Sequence, residues 1–119
     1  MSKQIFLIED DIDHAELITT FLKVDGIENE IIWFRDAESS IGRLKEIEEK
    51  DESVPALIII DLKLPRMDGF GLISHIRNID KFSKIPIIVI SSSSQPSDIS
   101  RALEVGAEEF INKLAAQKP

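Results

Sequence analysis

Five short apolar runs alternate with amphipathic stretches along this chain. The runs predict strands at 4–9, 30–34, 56–61, 86–90 and 108–112, and the stretches between them predict helices at 13–24, 37–50, 68–79 and 96–105. Ala15, Ile18, Phe21 and Leu22 recur at helical spacing and give the first helix one apolar face. Ala37, Ile41, Leu44 and Ile47 do the same for the second, with Glu46, Glu48, Glu49 and Lys50 on its wet side. Asp68 suits the N-cap of the third helix, whose inner face carries Leu72, Ile73 and Ile76. Pro96 suits the first turn of the fourth helix and Gly106 its stop.

The runs Ile5 to Ile8 and Ala56 to Ile60 are apolar throughout, as strands buried on both faces are. Strands alternating with helices imply right-handed crossovers and a parallel sheet covered on both sides. The expected fold is therefore α/β: a doubly wound, five-stranded parallel sheet of order 2-1-3-4-5, flavodoxin-like. After the fifth strand only 114–119 remain, too few for a full packing helix. The fifth helix is expected to be short or missing, leaving apolar surface bare on the first helix and last strand.

Length and composition narrow the function. A chain of 119 residues makes one domain, 1–119, that can bury roughly two-thirds of its unfolded surface. A net charge of −8 argues against direct binding to nucleic acid or an anionic membrane. Residues 1–61 hold 16 acids and 6 bases, whereas 62–119 hold 6 and 8, which makes the second half the better docking surface for an acidic or mixed-charge partner. With no cysteine, disulfides and thiol zinc sites are excluded. No apolar stretch is long enough to span a membrane, and Met1 to Gln4 carry no signal-peptide pattern, so a cytoplasmic location is expected.

The chemistry lies at the strand ends. Glu9 and Asp10 directly follow the first strand, and Asp61 ends the third. In the order 2-1-3-4-5 these two strands are neighbours at the switch point, where open α/β sheets bind ligands. Two carboxylates about 4 Å apart repel by roughly 4 kcal/mol at an effective dielectric of 20. Such a cluster is costly unless a divalent cation sits among the acids.

Ser91 follows Pro86 to Ile90 at the end of the fourth strand, and Lys113 follows Phe110-Ile111-Asn112 at the end of the fifth. The acid pair, Asp61 with Pro65-Arg66-Met67-Asp68-Gly69 after it, Ser91, and Gly106-Ala107 before Lys113 together resemble the receiver domain of two-component response regulators. The resemblance covers nearly the whole chain. It implies that Asp61 accepts a phosphoryl group from a phosphohistidine, and that the domain itself catalyses the gain and loss of that group. It implies Mg²⁺ held by Asp10, Asp61 and the Lys63 carbonyl, with Glu9 acting through water. Lys113, the Ser91 hydroxyl and the Ser92 N–H would contact phosphoryl oxygens. Ser91 and Phe110 would form the switch, altering a face around Ser97 to Phe110. The implied partners are a sensor histidine kinase or histidine phosphotransfer protein and a downstream protein target. A homodimer through helix 4 and strand 5, or through the bare surface, is a further implied assembly.

Departures from the family pattern are visible. Leu114 stands where the family usually has a cis-proline, so a trans peptide and a less rigidly aimed Lys113 are expected. Ser91 replaces the commoner threonine, and Lys63 and Ser93 occupy positions that tune the phosphoryl lifetime. His14 and His75 read as solvent-facing helical histidines. Asp11 and Asp13 read as cap and first-turn charges. Trp33 and Phe34 are expected against the second helix or an edge. Two other functions compete: a degenerate receiver acting as a scaffold, and a Mg²⁺-dependent aspartate phosphatase. The phosphatase needs a second acid two residues after its nucleophile, and that position is Lys63.

Overall fold

Alternation within each strand decides which side chain enters which layer. The computed structural model describes residues 3–93 and 95–113. Its strands are β1 (Ile5–Ile8), β2 (Ile31–Phe34), β3 (Leu57–Asp61), β4 (Ile87–Ser91) and β5 (Glu109–Asn112), all parallel and ordered β2-β1-β3-β4-β5. The helices are α1 (Ile12–Val24), α2 (Ala37–Lys50), α3 (Gly69–Arg77) and α4 (Pro96–Val105). The expected fold class and strand order are thus the observed ones. The short or missing fifth helix, and the Leu114 peptide, fall outside the described residues.

Phe6, Ile8, Ile58, Ile60, Ile87 and Val89 point to one layer with Leu44, Ile47, Leu72, Ile73 and Ile76. Ile5, Leu7, Ile59 and Ile90 point to the other, where Ala15 and Ile18 of α1 meet them. A large side chain fully buried in such a layer contributes about 1.5–3 kcal/mol.

Helix starts follow local chemistry. The Asp11 carboxylate accepts from the Asp13 and His14 amides, Asp36 from Ser39, and Asp68 from Gly71. Each satisfies amides that a helix start leaves unpaired. Pro96 occupies the first turn of α4, and Gly106 ends it at φ 124°, a conformation that disfavours side chains.

One helix boundary is corrected. Helix α3 ends at Arg77 rather than at 79, and a single 3₁₀ turn, Asp80–Phe82, follows and buries Phe82 completely. The Arg77 guanidinium stabilises this turn by donating to the carbonyls of Phe82, Ser83, Ile85 and Gly106. Phe21 is 51% exposed, part of the apolar surface expected to lie bare on the first helix; among the described residues no element covers that flank of α1. It lines an apolar groove of about 390 Å³ with Leu17, Ile88 and Ile111. The two placements expected for Trp33 and Phe34 divide between them on the edge strand β2: Trp33 packs in the α1 layer and Phe34, of opposite strand parity, meets Phe6 edge-on on the α2 side.

Candidate functional site

Register brings the acids together. Ile8 pairs with Ile60, so Glu9 and Asp61 leave neighbouring strands at the same level. Carboxylate oxygens of Glu9, Asp10 and Asp61 lie within 4.8 Å of one another. Glu9 and Asp61 are buried while Asp10 is exposed, so the cluster is reached from one side. The Trp33 indole donates to the Glu9 carbonyl at 2.6 Å and fixes the backbone there.

The β3–α3 connection holds Asp61. Its Oδ1 accepts from the Lys63 amide at 3.2 Å, while the Lys63 side chain stays exposed. Gly69 packs directly beneath: a Cβ there would fall 2.7 Å from the Asp61 carbonyl oxygen. Arg66 takes φ 65°, in the left-handed region, and pairs with Asp36 at 2.9 Å and Glu38 at 3.3 Å.

Lys113 closes the site from β5. Its ammonium donates to Asp61 Oδ2 at 3.1 Å and lies 2.8 Å from Glu9 Oε1. It also donates to His14 Nδ1 at 3.0 Å. Burial alone would lower the Lys113 pKa, but Glu9 and Asp61 outweigh it and hold the group above its usual value. Burial pushes Glu9 up to about 7, with Asp61 adding to the rise and Lys113 opposing it. Glu9 Oε1 is held by its ion pair with Lys113 at 2.8 Å. A buried carboxylate beside two more carboxylates suits a hard divalent cation.

Ser91 is fully buried at the end of β4, next to β3, and its Oγ accepts from the Ser93 amide at 3.1 Å. Ser93 in turn donates to Asp98 at 2.6 Å, and its carbonyl accepts from Asn112. Ser92 is exposed. Phe110, opposite Val89, is partly buried in the α2–α4 layer, away from the acids.

Two residues at the site escaped the sequence reading. His14, expected to face solvent, turns its ring to Lys113 and lies 3.8 Å from Glu9, whereas His75 is exposed as expected. Trp33 is the other. The signal for His14 was its place three residues past the Asp11 cap, which aims it along the helix start toward the strand ends.

The model for the response regulator receiver domain matches residues 5–118. The chain belongs to the receiver domain family of response regulators. It is 30% identical to response regulator Rcp1 of Synechocystis sp., across 93% of this chain and 76% of that protein. It is also 30% identical to the probable methanogenesis regulatory protein FilR2 of Methanothrix harundinacea, across 92% of this chain and 70% of the relative. Among solved structures, Mn²⁺-bound Rcp1 superposes with a TM-score of 0.81 at 28% identity, covering 92% of this chain and 80% of the other. The phosphorylated cyanobacterial phytochrome response regulator RcpA gives 0.83 at 29% identity, covering 94% and 81%. Among the described residues of this receiver, no helix is long and apolar enough to cross a membrane.

Proposed function

We propose that this receiver, taken as one unit over 1–119, accepts a phosphoryl group on Asp61 and switches a protein-binding face. The observation that carries the reading is the convergence of Lys113 and two further carboxylates on a buried aspartate that opens to one side.

An Asp61 oxygen would attack the phosphorus of a phosphohistidine; a P–O bond forms, the P–N bond breaks, and the imidazole leaves with the electron pair. Asp10, Asp61 and the Lys63 carbonyl would hold Mg²⁺, with Glu9 acting through water. The ion supplies positive charge to the phosphoryl oxygens. Lys113 supplies a second positive charge from a fixed position, and the Lys63 amide orients Asp61 for attack. Ser91 and the Ser92 amide are the remaining donors. Ser91 can donate its hydroxyl to a phosphoryl oxygen while its Oγ still accepts from the Ser93 amide, so a shift of Ser91 toward the phosphoryl group would pull on Ser93, and the Ser93–Asp98 and Asn112–Ser93 bonds would carry that pull to α4 and β5. Phe110 lies in the layer that this movement repacks.

A sensor histidine kinase or histidine phosphotransfer protein in the cytoplasm would be the donor and a downstream protein the target. The phosphatase alternative meets an exposed Lys63 where it needs an acid. Incubation with acetyl phosphate and Mg²⁺ followed by intact mass measurement tests the reading. One phosphoryl adduct is expected, absent from Asp61→Asn. No adduct in the wild type would leave a scaffold, and sustained release of phosphate from many monoesters a hydrolase.

A further inference from the structure

We infer that His14 is a positioning residue for Lys113, holding its ammonium in place as a phosphoryl group arrives on Asp61. The inference rests on the phosphoacceptor reading and deepens it. An ammonium only donates, so His14 Nδ1 must be the acceptor of the 3.0 Å contact, and the ring proton sits on Nε2. Lys113 makes two well-directed hydrogen bonds among the described residues, one to Asp61 and one to His14. The third close group is Glu9 Oε1, an ion pair at 2.8 Å.

Phosphorylation changes this set unequally. Esterified Asp61 loses its negative charge and becomes a poorer acceptor, so Lys113 turns an N–H to the phosphoryl oxygens. Glu9 belongs to the metal side of the site. His14 takes part in neither change. Its backbone is fixed at the start of α1, where its amide donates to the Asp11 cap at 3.2 Å. The 99-residue separation between the two partners makes this bond a tie between the first helix and the last strand. Without it the long lysine stem regains rotamer freedom that has to be lost again in each transfer.

The test compares His14→Leu, which keeps an apolar body and removes the acceptor, with His14→Asn, whose Oδ1 hangs from Cγ just as Nδ1 does. With acetyl phosphate and Mg²⁺, His14→Leu is expected to slow adduct formation about tenfold, the size of effect a hydrogen bond to a charged group carries. His14→Asn should recover most of that loss, and urea midpoints should show both variants folded. Equal rates for Leu and wild type, or an Asn variant as slow as Leu, would overturn the role. A second readout needs neither metal nor phosphate. The ¹⁵N spectrum of the imidazole should show the proton on Nε2 and an accepting Nδ1 whose signal moves in Lys113→Met; a proton on Nδ1 would end the proposal. No adduct on the wild type, even with that spectrum as expected, would sink the phosphoacceptor reading and this role with it.

Discussion

Removing the charge of Glu9 tests the electrostatics of the whole cluster. The carboxylate is 1% exposed, and its pKa stands at about 7 against an ordinary 4.5. A raised carboxylate pKa means that the folded state holds its proton where the unfolded chain has lost it. Stability from this group is therefore fully present below 4.5, declines as pH rises, and is gone above 7. At 1.36 kcal/mol per pH unit, the ionised form costs the metal-free fold about 3 kcal/mol. In a domain of this size that corresponds to about 10 °C in Tm. Glu9→Gln stays neutral throughout. In chelator, urea unfolding should give wild type and variant similar stability at pH 5, with the variant more stable at pH 8. Millimolar Mg²⁺ should close most of that gap at pH 8, because a ligand bound only by the folded state at a hundred times its Kd adds about 2.7 kcal/mol. Parallel pH profiles for the two proteins, with or without Mg²⁺, would refute both the burial argument and the cation site.

Two further substitutions probe how the site is held. Gly69→Ala would press a methyl group into the Asp61 carbonyl and the Leu62 Cα, both under 3 Å away, and should lower stability by about 1–3 kcal/mol while slowing adduct formation, read by urea unfolding and intact mass. Arg77→Met removes the guanidinium bonds to four carbonyls around the 3₁₀ turn and the end of α4, and should cost about 2 kcal/mol or more, with faster amide exchange first at Ile85 and Ala107.

Local chemistry made much of this receiver legible in its residues. Apolar runs ending in acids, an Asp before each of three helices, and a Gly at the stop of α4 act over a few residues, and a parallel sheet admits few ways to connect them. Glu9, Asp10 and Asp61 were expected to meet because strand order alone brings their strands side by side. Other features depend on contacts that no local pattern encodes. The Asp11 cap three residues before it places His14 at the start of α1, but no local pattern reveals that Lys113, 99 positions away, ends against its ring. Strand parity sent Trp33 to the α1 layer and onto the Glu9 carbonyl, and a one-residue slip in register would have sent it to the other side. Burial, which gives Glu9 its raised pKa, is a property of the assembled layers rather than of any segment. The chain's own pattern determined which elements form and where the acids stand; only their packing decided which side chains surround each charge, because desolvation and hydrogen-bond direction exist once the layers close.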